Sequence, residues 1–342
     1  MHQTSTQPHN HANGEQGMNT QRKQVLAFRA LPPDQLARIS ALHEVTVADP
    51  SIPAQRAAFD AALPTAQGLI GSVFPVDAAL LARAPRLEVI SSISVGVDNY
   101  ALPVLHERGI VLCHTPGVLT ETTADTLFAL VMASSRRLVD LAQLVREGRW
   151  KGNIGADLFG WDVHGKTLGI LGYGRIGQAV ARRGALGFGM PVLYHARRPH
   201  ELPELAGRAQ RASLESVLAQ SDIVVVTLPL SEETRGLMGE RQFAMMKQGA
   251  IFINGARGAI VDENALLAAL DSGHLRAAGL DVFATEPLPL DSPLRTHPKV
   301  TPLPHVGSGT HETRHAMAEL ATTNLLRALA GEEPVARYAT GD

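Results

Sequence analysis

Cysteine is almost absent from this 342-residue chain, where Cys113 stands alone. One thiol cannot form an intrachain disulfide, so a reducing, cytoplasmic setting is expected. An excess of one charge is also lacking. The formal net charge of −2 leaves no electrostatic footprint for nucleic acid or an anionic membrane. No apolar run approaches the ~20 residues needed to span a bilayer. The segment 1–22 has no apolar stretch, which excludes a secretory leader core, and its Gln, His, Asn and Thr content predicts a disordered tail. Met18 is a candidate for the true start. A Gly-x-Ser-x-Gly elbow and a compact metal-ligand cluster are missing as well, so hydrolase and metal chemistry have no visible machinery.

What is present is ample material for a core. Hydrophobic residues make up 45% and charged residues 19%, and the length suggests two domains. Apolar runs of strand length alternate with helical patterns, which predicts parallel α/β architecture. Strands are expected at 24–29, 68–74, 87–93 and 110–113, with helices such as 33–42 and 77–84 between them. Thr120 or Thr122 is placed to cap a long helix reaching residue 147, with Gly148 positioned to stop it. Ala124, Leu127, Leu130, Val131, Leu138 and Leu141 are too many for one exposed stripe, so this helix should be covered on several sides.

A second strand series follows at 167–171, 192–195, 222–228, 250–254, 278–282 and 300–303, and 311–330 reads helical. The expected fold is α/β with two doubly wound domains. A Rossmann dinucleotide-binding domain, 120–304, is inserted in a discontinuous, flavodoxin-like substrate domain formed by 23–119 and 305–342.

Gly172-Tyr173-Gly174-Arg175-Ile176-Gly177 directly follows a predicted strand and opens a helix. The first glycine allows the tight turn, the second lets backbone approach a pyrophosphate, and the third permits close helix–strand packing. The helix start, with Arg175 and Ile176, adds N–H donors and a positive dipole end. About twenty positions on, NAD-binding chains carry an acid for the ribose hydroxyls. Here Ala196 takes that place, followed by Arg197 and Arg198. Guanidinium groups suit a 2′-phosphate, so NADPH is expected over NADH; a solvated basic turn is the alternative.

Three groups fall just beyond the ends of late strands: Arg257, Glu286 and His305. A doubly wound sheet binds ligands along that edge. Arg257 can hold a carboxylate bidentately, His305 can donate a proton to a carbonyl, and Glu286 can hydrogen-bond the other imidazole nitrogen and favour the protonated ring. Together they suit reduction of a 2-keto acid.

With these residues the chain resembles the D-isomer-specific 2-hydroxyacid dehydrogenase family over nearly all of 24–338. The matching stretches are Ser94-Val95-Gly96-Val97-Asp98, His114-Thr115-Pro116-Gly117-Val118, the glycine fingerprint, Leu228-Pro229-Leu230-Ser231, Phe252-Ile253-Asn254-Gly255-Ala256-Arg257-Gly258, Gly279-Leu280-Asp281-Val282-Phe283 and Pro304-His305-Val306-Gly307-Ser308. Within the family it is most similar to the bacterial glyoxylate/hydroxypyruvate reductase B branch, also described as 2-ketoaldonate or 2-ketogluconate reductases.

The resemblance implies a substrate-carboxylate cradle at the backbone of Val95 and Gly96. It implies that Ala256 and Asp281 hold the nicotinamide carboxamide, that Leu228, Thr234 and Gly307 line the cofactor site, and that Thr123 touches the nicotinamide. It also implies D stereochemistry, cleft closure, and a homodimer joined through the cofactor domains with the helix after Thr120 in the contact. Gly255-Ala256 reverses the order usual in the branch, with little effect expected from two small residues. A phosphoglycerate-type dehydrogenase and a non-catalytic cofactor-sensing scaffold are the competing readings.

Overall fold

The computed structural model describes residues 22–200 and 202–339, in which the chain winds two parallel sheets in succession. The expected tail, Arg22 apart, lies outside the described residues. The first sheet contains β1 (Gln24–Ala27), β2 (Glu44–Val47), β3 (Gly68–Gly71), β4 (Val89–Ser92) and β5 (Val111–Cys113), in the order β2-β1-β3-β4-β5. That is the flavodoxin-like order.

The second sheet contains β6 (Leu168–Leu171), β7 (Val192–His195), β8 (Ala209–Arg211), β9 (Ile223–Val226), β10 (Ala250–Asn254), β11 (Leu275–Leu280) and β12 (Val300–Pro302). Its order, β12-β11-β10-β9-β6-β7-β8, is the Rossmann arrangement with one strand added at the edge.

No strand is expected from the sequence pattern at β2 or β8: both lack a continuous apolar run, although Val45, Thr46 and Val47 are β-branched. Both are edge strands and their residues are partly or fully exposed, so neither needs the unbroken apolar run that parallel strands buried on both faces require. The interior strands β3, β4, β6, β9 and β10 are buried at every position, and the sequence marks all five.

The long helix expected from Thr120 to residue 147 is two helices, Thr120–Arg136 and Leu138–Arg146. Arg137 breaks it by adopting a left-handed backbone, φ 55°. Ala124, Leu127, Leu130 and Val131 are buried against the second sheet, whereas Leu138 is half exposed and the second helix buries no residue. The expected side-chain cap is absent: the capping position is Leu119, and the Thr122 hydroxyl bonds that of Thr313 at 2.5 Å instead. Gly148 does take the positive φ, 66°, that follows the helix end.

After the second sheet the chain returns. The last helix, His311–Leu329, lays Met317, Ala321, Leu325 and Leu329 against Val25, Ala27, Ile70 and Val89 of the first sheet. Each such buried leucine stabilises the fold by about 1.5–3 kcal/mol. The first sheet and the helix that covers it are thus separated in sequence by all seven strands of the second sheet.

The exposed edge of β5 is closed by the segment beyond that helix, which makes an antiparallel bridge from Arg337 to Cys113. Tyr338 N–H donates to Leu112 at 2.8 Å, and His114 N–H donates to Ala336 at 3.2 Å. Asn324, fully buried, clips both chains: its Nδ2 donates to the His114 carbonyl at 3.1 Å and its Oδ1 accepts from Ala336 N–H at 3.0 Å. Burial pushes the Cys113 thiol up to about 12, which keeps it unreactive. Among the described residues, no helix is long and apolar enough to cross a membrane.

Asn324→Ala leaves the half-buried His114 carbonyl and Ala336 N–H without this partner. It is expected to cost about 2 kcal/mol in denaturant unfolding and to expose the segment after Gly331 to protease.

Candidate active site

Parallel strands end together, so the loops following β6, β7, β9, β10, β11 and β12 meet along one edge of the second sheet. The glycine turn after β6 has the geometry its sequence implies. Gly172 sits at φ 95°, where a side chain would be strained. A Cβ on Gly177 would lie 2.1 Å from the Gly172 carbonyl oxygen, whereas around Gly174 there is open space to 4 Å. Gly174 and Arg175 are exposed at the start of the helix Arg175–Arg182. An open backbone patch at a helix N-terminus fits a dinucleotide pyrophosphate.

His305, Glu286 and Asp281 come from the loops after β12 and β11 and lock together. His305 Nδ1 and Glu286 Oε2 are 2.8 Å apart, and Glu286 Oε1 accepts from Phe283 N–H at 3.0 Å. His305 occupies a left-handed backbone, φ 54°, which is costly for a residue with a side chain. Asp281 holds it there: one carboxylate oxygen accepts from Val306 N–H and the other from Gly307 N–H, each at 2.8 Å.

Burial pushes the Asp281 carboxyl above its ordinary range, and those two N–H groups and the charge of His305 only partly offset it. For Glu286 the balance is reversed. Burial raises it, but the His305 hydrogen bond, the Phe283 N–H and the charges of His305 and Arg257 outweigh that and hold it below 4.5.

Arg257 reaches the same cleft from the β10 loop, and it is tied to the first unit. Asp98, which follows the β4 loop, accepts from Arg257 Nε at 3.1 Å and from Nη2 at 3.0 Å. Nη1 donates to the Ala256 carbonyl at 2.8 Å. Of the five guanidinium N–H groups, these contacts leave one on each terminal nitrogen. A Cβ on Gly96 would lie 1.6 Å from Arg257 Nη2, so only glycine lets the guanidinium settle on that backbone.

Behind Arg257, buried Asn254 shapes the turn. Its Oδ1 accepts from Ala256 N–H and its Nδ2 donates to the Arg257 carbonyl, both at 3.1 Å. At Gly258 a Cβ would lie 1.8 Å from the Phe283 carbonyl carbon, so the Arg257 turn and the Glu286 loop touch through backbone.

The structure thus gathers Arg257, Glu286, His305, Val95 and Gly96 at one cleft. Thr123 is there too, with its Cγ2 3.2 Å from where a Gly307 Cβ would stand. Leu228 borders the glycine turn, its N–H 2.8 Å from where a Gly172 Cβ would be. The Thr234 hydroxyl is occupied inside its own loop, accepting from Ser231 N–H at 2.8 Å and donating to the Pro229 carbonyl at 2.7 Å. Arg197 and Arg198 lie apart from this group, exposed after β7.

Gly255 is less neutral than its size suggests, because a Cβ there would lie 2.0 Å from Leu127 Cδ2. Sequence reasoning assigned no role to Asp98 or Asn254, although both stood inside quoted motifs. It also passed over Val73, a β-branched residue at φ 66° just beyond β3, where the strand order of the first sheet reverses.

Because the folded Glu286 carboxyl sits below its ordinary value of 4.5, its pairing stabilises the fold above that pH. The contribution is lost as pH falls through the folded value. Glu286→Gln should therefore be less stable than wild type near neutral pH, with the gap narrowing under acid in denaturant titrations. A gap of constant size would remove the ion pair as its cause.

The family model for the D-isomer specific 2-hydroxyacid dehydrogenase NAD binding domain matches residues 128–307. The glyoxylate/hydroxypyruvate reductase B of Cronobacter sakazakii is 51% identical over 308 residues, covering 90% of this chain and 95% of that protein. The protein of the same name from Yersinia enterocolitica is 56% identical over 270 residues, 79% of this chain and 83% of its own. Among solved structures, the Thermus thermophilus TT0316 protein matches with a TM-score of 0.84 at 44% identity, covering 92% of this chain and 100% of that one. The NADPH-dependent glyoxylate/hydroxypyruvate reductase of Sinorhizobium meliloti, in complex with NADP and malonate, matches with a TM-score of 0.83 at 32% identity, covering 93% and 97%. This chain is an oxidoreductase of the nicotinamide-dependent kind and belongs to the D-isomer specific 2-hydroxyacid dehydrogenase family.

Proposed function

We propose that the protein reduces glyoxylate, hydroxypyruvate and, as a larger substrate, 2-ketogluconate to the corresponding 2-hydroxy acids, with NADPH preferred over NADH. The observation that carries this reading is the His305–Glu286 pair, 2.8 Å apart, in the same cleft as an arginine that still has free N–H groups.

Arg257 takes the substrate carboxylate on those N–H groups, and the backbone of Val95 and Gly96 completes the cradle. With Nδ1 committed to Glu286, His305 has Nε2 left to pass a proton to the substrate carbonyl oxygen. Glu286 keeps the ring oriented and balances its charge when protonated. Bound NADPH supplies the hydride that C2 receives. Ala256, Asp281 and Thr123 hold the nicotinamide end, Leu228, Thr234 and Gly307 line the site, and Arg197 and Arg198 meet the 2′-phosphate.

The remaining expectations follow from the same reading. Residues 23–119 with 305–342 form the substrate domain around the cofactor domain 120–304, and the cleft between them closes during turnover. Exposed Leu138, Val139, Val145, Trp150, Ile154 and Phe159 form an apolar stretch that supports a homodimer, to be seen as sedimentation at twice the chain mass. One buried, unreactive cysteine is consistent with a cytoplasmic location.

Purified protein should oxidise NADPH with hydroxypyruvate, glyoxylate and 2-ketogluconate, and NADH more weakly; no turnover with any 2-keto acid sinks the proposal. His305→Ala is expected to lower kcat by about 10²–10⁴ while NADPH binding, followed by fluorescence, is retained. Asp98→Ala frees Arg257 to swing and should raise KM for the keto acid about tenfold, with a smaller change in kcat. An unaltered KM would show that Arg257 needs no partner.

A further inference from the structure

The basic turn after β7 is held from three directions. At its base, Gly172 N–H donates to the His195 carbonyl at 3.0 Å, which ties it to the glycine turn. At its far end the Tyr194 hydroxyl donates to the His200 carbonyl at 2.9 Å and accepts from His200 N–H at 3.2 Å. The Tyr194 ring stacks on that of Tyr173, a fingerprint residue, with centroids 3.7 Å apart and planes 12° from parallel. On its flank stands Arg211, the last residue of β8 and the register partner of Tyr194. Its Nε donates to the Ala196 carbonyl and its Nη2 to the Arg197 carbonyl, both at 3.0 Å.

Two adjacent exposed arginines on a free loop would lose much conformational freedom on meeting a ligand, and that loss weakens binding. Here the backbone beneath them is fixed in advance. Arg197 and Arg198 lie between the restraints at His195 and His200, at the strand edge where a doubly wound sheet takes its ligand.

We propose that Arg211 and the Tyr194 hydroxyl are positioning residues for an adenosine 2′-phosphate: they hold residues 196–200 so that Arg197 and Arg198 receive the phosphate without rearranging. The inference rests on the NADPH reading. It requires the geometry of the Arg211 fork and not only its charge, since one lysine ammonium cannot present a rigid fork to two carbonyls.

Calorimetry on the full chain with adenosine 2′,5′-bisphosphate and with 5′-AMP provides the test. Wild type should prefer the bisphosphate. Arg211→Lys and Tyr194→Phe should each weaken the bisphosphate roughly fivefold to tenfold and leave 5′-AMP affinity unchanged. In turnover the same variants should raise KM for NADPH and not for NADH. With Arg197 and Arg198 both replaced by alanine, Arg211→Lys should have no further effect, because the groups it positions are gone.

A lysine variant indistinguishable from wild type would reduce the role of Arg211 to charge and overturn the inference. Equal losses for both nucleotides would overturn it in favour of a general structural role. Wild type that does not distinguish the nucleotides would remove the NADPH reading and the inference together. Discrimination retained in wild type and variants alike would sink the positioning role alone.

Discussion

The strand edge that carries His305 and Glu286 depends on one buried carboxylate, Asp281. Asp281 is almost fully enclosed, and a carboxylate placed there must find donors or lose its charge. It finds the N–H groups of Val306 and Gly307, one for each oxygen. Those two bonds hold the chain in the left-handed conformation that His305 would otherwise avoid, and the imidazole is thereby delivered to Glu286. Electrostatic desolvation, backbone strain and side-chain placement are thus one problem with one solution. The further acceptor capacity of each oxygen is what a carboxamide could use.

The neighbouring loops follow the same logic of backbone first. Asn254 closes the turn beneath Arg257, and Gly258 lets that turn press against the Phe283 carbonyl. Gly96 removes the one atom that would keep the guanidinium away from the first unit, so the Asp98 ion pair can span the cleft. Few of these contacts are strong singly. Their shared direction toward one strand edge gives a rigid arrangement of acid, cation and open peptide.

Much of this was legible in the residues because it rests on periodicity and on glycine. Strands buried on both faces are mostly apolar, so β3, β6, β9 and β10 are plain in the sequence. The fingerprint glycines likewise carry their own steric reasons. β2 and β8 were not legible, since edge strands need no continuous apolar run. The break at Arg137 has no glycine or proline to mark it. Asp98 and Asn254 were visible as letters but not as partners, because their meaning lies in contacts made at a distance: Asp98 meets a residue 159 positions away. Val73 shows nothing locally that would betray its positive φ.

The return of the last helix to the first sheet has a mechanical consequence. The chain crosses from one unit to the other near Leu119 and crosses back just after β12, so two covalent links run side by side. A body held at two points turns most easily about the line joining them; twisting and sliding are resisted. His305 lies beside one of these links, so a rotation about that line would displace it little and would move the distant rims most. The contact between His305 and Glu286 would then stay in register with the second sheet.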